Sequence, residues 1–341
     1  GADQDGWTFN TDQNLDFLRE GETLSLSFNV VAIDDSGAGN DTSAPPQTVT
    51  ITLTGTNDQP EISFITANGD ANEADGQAPL NATGQINWND LDTNDIVAIQ
   101  PTYNQDITWS GGDINNELNQ QQIDALTSTG NGNAFAITGA DQDGWTFNTD
   151  QNLDFLREGE TLSLSFNVVA IDDSGAGNDT SAPPQTVTIT LTGTNDQPEI
   201  SFITANGDAN EADGQAPLNA TGQINWNDLD TNDIVAIQPT YNQDITWSGG
   251  DINNELNQQQ IDALTSTGNG NAFAITGADQ DGWTFNTDQN LDFLREGETL
   301  SLSFNVVAID DSGAGNDTSA PPQTVTITLT GTNDQPEISF I

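Results

Sequence analysis

Residues 22–33 read Glu-Thr-Leu-Ser-Leu-Ser-Phe-Asn-Val-Val-Ala-Ile, and residues 47–55 read Gln-Thr-Val-Thr-Ile-Thr-Leu-Thr-Gly. In the first stretch Leu24, Leu26, Phe28 and Val30 alternate with Ser and Asn. In the second, Val49, Ile51 and Leu53 alternate with Thr48, Thr50, Thr52 and Thr54. Successive strand side chains point to opposite faces, so this period of two predicts half-buried antiparallel strands. The turn run Ser36-Gly37-Ala38-Gly39-Asn40-Asp41 separates them. Shorter strands are predicted at 7–9, 62–65, 85–89, 96–99, 107–109 and 134–137. Residues 115–126 break the alternation: Leu118, Ile123 and Leu126 suit one face of a short helix, with Gly130 where the chain would leave it. Many short strands and one helix predict an all-β, Ig-like antiparallel β-sandwich.

The same stretches recur. Gly1-Ala2-Asp3-Gln4-Asp5-Gly6-Trp7 returns at Gly139 and at Gly277, so the period is 138 residues, the copies are identical, and the third stops at Ile341. A period this long is a whole domain rather than one turn of a solenoid. Pro60 follows the last strong strand and fixes an extended link. Cuts at that proline predict the C-terminal half of a repeat at 1–59, full repeats at 60–197 and 198–335, and the start of another at 336–341. The pattern leaves a different cut open.

Asp and Glu number 53 against 3 Arg and Lys, a formal charge of −50. Such a chain repels phosphate backbones and anionic lipid, which excludes nucleic-acid and membrane-surface roles. No apolar run approaches the ~20 residues of a membrane span. No signal peptide is visible, so the segment is expected to lie inside something longer. A halophile-like solvated surface is a rival reading of the acidity, but it does not explain why acids cluster in Gly- and Asn-rich turns. The chain has no Cys, His or Met. That removes disulfides and the usual ligands of zinc, copper, haem and iron–sulfur clusters. Carboxylate, Asn side-chain and backbone oxygens remain, and these are calcium ligands.

The acids fall into recurring groups: Asp90-Leu91-Asp92-Thr93-Asn94-Asp95, Asp34-Asp35, Asn57-Asp58, Glu20 with Glu22, and a looser pair, Glu73 and Asp75. Calcium takes six to eight oxygens, so carboxylates from several loops must converge. Like charges that close repel, and a divalent cation is the usual way to hold them. Asp3, Asp5, Asp12, Asp16, Asp70, Asp113 and Asp124 read as solvated turn or cap residues. None of the groups has EF-hand spacing.

Leu18-Arg19-Glu20, Ala32-Ile33-Asp34 and Gly55-Thr56-Asn57-Asp58-Gln59-Pro60 resemble cadherin-type calcium signatures. The whole is similar to the VCBS or cadherin-like repeats of giant RTX-type bacterial adhesins, to which Asp5-Gly6-Trp7-Thr8-Phe9, Gly21-Glu22-Thr23-Leu24 and the segment from Gly84 to Asp95 also correspond. Residues 113–133 match no family pattern. The resemblance implies sandwiches joined end to end with Ca2+ at each junction. The first junction would use Glu20, Asn57 and Asp58 with Asp90, Asp92, Asp95 and Asp172. The second would use Glu73, Glu158, Asn195, Asp196, Asp228, Asp230, Asp233 and Asp310, and Glu211 would serve the next. Asp34 is the same repeat position as Asp172. Thr56 or Gln59 stands where a full linker would offer another acid, which leaves the ion count open.

The resemblance further implies a secreted, cell-surface, monomeric rod. Its partners would be neighbouring repeats, and an adhesive target would be bound by other regions of the full protein. Two other function classes compete. A multivalent carbohydrate- or protein-binding module is suggested by seven tryptophans, although Trp7, Trp88 and Trp109 alternate with polar residues as core residues would. A glycosidase with paired carboxylates needs no His or Cys, but acids in Gly- and Asn-rich turns lack the apolar pocket that raises one pKa. The chain is therefore read as non-enzymatic.

Overall fold

The computed structural model describes residues 6–74, 79–211, 217–336 and 338. Asp3, Asp5, Asp75 and most of the 336–341 stub lie outside the described residues. The chain divides into two compact units: Gly1–Ala71 with Pro79–Gln151 and Leu162–Leu191, and Asn72–Ala78 with Asn152–Thr161 and Thr192–Ile341.

The alternating stretches form the expected strands. β1 (Thr23–Val30) pairs antiparallel with β2 (Gln47–Thr54), Leu26 opposite Ile51 and Phe28 opposite Val49. There follow β3 (Glu61–Phe64), β4 (Asn68–Asn72), β5 (Leu80–Asn89), β6 (Ala98–Tyr103), β7 (Thr108–Trp109), a short helix α1 (Gln120–Thr127), β8 (Phe135–Thr138), β9 (Gly144–Thr149), β10 (Thr161–Ile171) and β11 (Gln185–Thr192). They build one sheet in the order β3-β5-β9-β8 and another in the order β4-β11-β10-β6, with β7 also on β10.

The next copy repeats this with β12 (Glu199–Ile203), β13 (Asn206–Asn210), β14 (Leu218–Asn227), β15 (Ala236–Tyr241), β16 (Thr246–Trp247), α2 (Gln258–Thr265), β17 (Phe273–Thr276), β18 (Gly282–Thr287), β19 (Thr299–Ile309) and β20 (Gln323–Thr330). Its sheets are β12-β14-β18-β17 and β13-β20-β19-β15. Strands and two α-helices make the architecture all-β, with antiparallel sandwiches repeating at 138 residues.

The core of this last copy shows why the alternation folds. From β19, Leu300, Leu302, Phe304, Val306 and Ala308 point inward; from β20, Val325, Ile327 and Leu329. They meet Leu218, Ala220 and Ile224 of β14, Phe273 of β17, and Trp283 and Phe285 of β18. Burying one such large side chain contributes about 1.5–3 kcal/mol. Phe273 and Phe304 stack with ring centroids 4.4 Å apart. Trp283 is fully buried and donates its indole N–H to Thr204 O at 3.1 Å. A Cβ on Gly222 would stand 2.4 Å from that ring, so only glycine lets β14 lie against it.

Sequence expectation and structure differ in several places, four of them instructive. The 96–99 strand starts instead at Ala98 and runs to Tyr103, because Asp95 and Ile96 belong to the acidic loop. The 115–126 helix is split: a 3-10 turn, Ile114–Asn116, precedes α1, whose N-cap Asn119 forms a capping box with Gln122. β4 has no alternation to read, since Asn-Gly-Asp-Ala-Asn is nearly all polar. Its equivalent β13 is held by parallel pairing with β20. Residues 7–9 form no strand, whereas the identical residues in β9 and β18 do.

Candidate metal centre

The linker and three loops meet in the first unit. The Gly-Thr-Asn-Asp linker is pinned at its start: Gly55 N–H donates to Glu22 O at 2.8 Å and Gly21 N–H to Gly55 O at 3.1 Å. A Cβ on Gly55 would lie 2.2 Å from Leu18 O, so this close crossing requires glycine. Beyond it, Asn57 N–H donates to the Glu20 carboxylate at 3.0 Å, and Asp58 N–H to Asp92 Oδ2 at 2.8 Å. Asn57 Nδ2 donates to Asp172 Oδ2 at 3.2 Å, while Asn178 Nδ2 returns a bond to Asn57 O at 2.9 Å. The 90–95 loop is a turn built on its own acids. Asp92 N–H donates to Asp90 Oδ1 at 3.0 Å and Asp95 N–H to Asp92 O at 2.8 Å.

These turns aim oxygens at one another. One carboxylate oxygen each of Asp90, Asp95 and Asp172 lies within 4.8 Å of the others. Asp92 is fully buried and Asn57 nearly so. Asn57 Oδ1, Asp90 Oδ2, Asp92 Oδ1 and Asp95 Oδ2 are buried without a hydrogen-bond partner. In the second unit the same arrangement returns with Asp228, Asp233 and Asp310, and Asn195 Oδ1, Asp228 Oδ2, Asp230 Oδ1 and Asp233 Oδ2 are likewise buried and unbonded. Asn195 N–H donates to Glu158 at 3.0 Å, and Asp196 N–H to Asp230 Oδ2 at 2.7 Å.

The electrostatics follow from burial. Loss of solvent pushes the Asp90 and Asp228 carboxyls up to about 6 and Asp230 to about 8, with neighbouring carboxylates adding to the rise. Burial also raises Asp58, Asp95 and Asp233, the last two partly offset by an arginine. An unbonded buried carboxylate oxygen is costly, and several converging ones form a set of hard oxygen donors without competing nitrogen or sulfur. That set suits Ca2+, which accepts six to eight oxygens in flexible geometry.

A second group sits beside it. Glu73, Asp154 and Asp196, all buried, bring carboxylate oxygens within 4.8 Å of one another. Thr194 Oγ1 donates to Glu73 Oε2 at 3.2 Å. In the next copy Glu211, Asp292 and Asp334 do the same, with Glu211 Oε1 buried and unbonded. Asp154 and Asp292 share the repeat position of Asp16, which sequence reasoning set aside as a solvated turn residue. The available signal was its apolar surroundings: Asp154 stands between Leu153, Phe155 and Leu156, all buried.

The structure thus gathers Asn57, Asp58, Asp90, Asp92, Asp95 and Asp172 in one unit. In the other it gathers Asn195, Asp196, Asp228, Asp230, Asp233 and Asp310. Glu20 and Glu158 are exposed and reach the centres through the linker N–H. Asp34 stands apart: it is exposed, and the nearby Ser36, through its hydroxyl and through its N–H at 2.8 Å, lowers its pKa.

No family model matches the chain, and no curated protein matches it. Among solved structures it is similar to the human desmocollin-1 ectodomain, at 13% identity, covering 87% of this chain and 46% of that one, with TM-score 0.32. Mouse protocadherin-24 EC1-3 gives 12% identity, 91% and 79% coverage and TM-score 0.31. The CFA/I adhesin CfaE of enterotoxigenic E. coli gives 10% identity, 82% and 88% coverage and TM-score 0.31. The chain spans about half the length of the desmocollin chain it matches. Likeness this loose carries no argument about function, and the sandwich rests on the chain's own sheets.

Proposed function

We propose that this chain is a run of structural extender repeats from a secreted bacterial cell-surface adhesin of the VCBS or RTX type, stiffened by Ca2+ at each inter-repeat linker so that a distal tip is projected. In this reading 1–59 is the back half of one repeat, 60–197 and 198–335 are whole repeats, and 336–341 opens another. The observation that carries it is the recurring set of buried, unbonded oxygens on Asn57, Asp90, Asp92 and Asp95, and on Asn195, Asp228, Asp230 and Asp233.

Those residues, with Asp172 and Asp310, would hold the ion. Its charge would supply the attraction that lets four acids share one site. The chain's own part is orientation. The Glu20 and Asp92 carboxylates take the linker N–H groups, so the linker's path is tied to the acids of the following repeat. Extracellular modules often bind calcium with Kd ~10⁻⁴–10⁻³ M, and a site at about tenfold above its Kd adds ~1.4 kcal/mol. Two acid groups per linker would make assembly dependent on export into calcium-rich surroundings. Catalysis has no part in the reading.

Small-angle scattering tests this. Millimolar calcium should give a long, stiff particle that becomes shorter and more variable in excess chelator. An unchanged profile would return the acids to a solvated-surface role.

One observation favours a multivalent glycan- or protein-binding module instead. Beside α1, an open groove of about 840 Å³ is lined by Gln121, Asp124, Asn131, Asn133, Thr146 and Asn148, and a matching groove accompanies α2. The tryptophans do not help that reading. Trp145 and Trp283 are fully buried, and Trp88 is half-buried with its indole N–H given to Asp141 O at 2.9 Å. Binding of neutral polysaccharide to the intact chain, lost on changing Asn148 and Asn286 together to Leu, would favour it.

A further inference from the structure

Each repeat carries one basic residue, Arg19, Arg157 or Arg295, and the calcium reading gives it no task. The fold brings two of them into the acid clusters. Arg19 Nε donates to Asp95 and its Nη2 to Asp173 Oδ1 at 2.5 Å. Arg157 pairs in the same way with Asp233 and, at 2.8 Å, with Asp311 Oδ1. The Asp95 and Asp233 side chains are fully buried. Asp173 Oδ1 also accepts from Ile96 N–H, and Asp311 Oδ1 from Ile234 N–H, each at 2.9 Å. One planar guanidinium therefore bridges the back of one repeat to two separate loops of the next, 76 and 154 residues further on. At the same repeat position Arg295 makes no ion pair among the described residues.

Exposed ion pairs contribute little. Here one of each arginine's two acid partners, Asp95 or Asp233, is buried among like charges, and removing the guanidinium would leave that charge uncompensated. The flat fork of arginine suits two carboxylates at once, which the point charge of lysine does not.

We propose that this arginine is the resident cation of the junction: it positions Asp95 or Asp233 and keeps linker and loops docked when no metal is bound, so that a divalent cation enters an assembled site. The proposal concerns the same acid cluster as the calcium reading, yet only its calcium arm rests on that reading.

The test is proteolysis of the whole chain by a broad-specificity protease, with cleavage in the 193–198 linker followed by mass spectrometry. In chelator at low salt, Arg157→Gln should be cut several-fold faster than the parent. Arg157→Lys should recover part of the protection, and Arg295→Gln should match the parent. About 0.5 M NaCl should bring the parent toward the Gln variant, because it screens the clamp's half-exposed arm. Millimolar calcium should bring all rates together. Equal cleavage of parent and Arg157→Gln in chelator would overturn the proposal. Calcium that protects none of them would instead defeat the calcium reading and leave the arginine difference standing. Fluorescence of the buried Trp283 reports whether the sandwich is retained. If Arg157→Gln does not fold, Asp311→Asn removes the exposed end of the same clamp and is judged by the same outcomes.

Discussion

Residues 1–59 and 139–197 are the same 59 letters in two settings. Trp7 is 63% exposed and Phe28 48%, while their equivalents Trp145 and Phe166 are fully buried. Asp34 is open to solvent, and Asp172 is buried against Asn57. The difference lies in neighbours. β10 and β11 are flanked by β4 and β6 and face a second sheet, whereas among the described residues β1 and β2 pair with each other alone. For 139–197, the strands that complete both sheets come from residues 60–138. A repeat's back half therefore carries the pattern of a core, and its front half supplies the burial. The acid cluster goes one step further: Asn57 donates to Asp172, 115 residues along the chain, and so joins the group formed by Asp90, Asp95 and Asp172.

Substitution at paired positions breaks or sharpens this contrast. The largest effect is expected at the aromatic pair. Trp145→Ala should destabilise its repeat by about 3–5 kcal/mol, and Trp7→Ala should stay within ~0.5 kcal/mol, measured by denaturant unfolding. Similar losses would mean that residues 1–59 find cover in solution. The acid pair comes next. Asp172→Asn should weaken calcium binding at one site by roughly tenfold, about 1.4 kcal/mol, while Asp34→Asn leaves the calorimetric isotherm unchanged. If Asp34→Asn removed a site, residues 1–59 would bind calcium without the burial that surrounds Asp172.

The pH dependence has a definite sign. Asp90 and Asp228 at about 6 and Asp230 at about 8 lie above the ~3.9 of an unfolded Asp. The folded, metal-free chain thus holds more protons than the unfolded one between about pH 4 and 8, and its stability falls as pH rises through that window. Melting in chelator should therefore be higher at pH 5 than at pH 8. Calcium should reverse the trend by favouring the ionised acids. A chelated melting temperature that climbs from pH 5 to 8 would remove the buried-carboxylate account. The smallest contrast is at glycine. A Cβ on Gly144 would stand 2.8 Å from Thr138 Oγ1, and one on Gly6 would meet nothing within 4 Å. Gly144→Ala should cost about 1 kcal/mol and Gly6→Ala almost nothing, read from the same unfolding curves.

The strands with strict alternation were legible, as was the helix in the 113–133 insertion. β4 was not, because a polar pentapeptide has no period and is held by β11 rather than by its own propensity. The acids of the 90–95 loop and the Asn57-Asp58 linker were legible because their spacing concentrates oxygen donors. Asp154 was not, since a lone Asp in an Asn-rich turn looks solvated until the surrounding Leu153, Phe155 and Leu156 are seen to be buried.

By itself the sequence determined the 138-residue period, the two-residue alternation and the oxygen-only ligand chemistry, because repetition, side-chain direction and donor type are properties of the letters. Tertiary structure decided which identical copy is buried, which acids share a site and where the one arginine of each repeat is placed. Those depend on contacts across 76 to 154 residues of chain, and two copies with the same letters differ in nothing except what surrounds them.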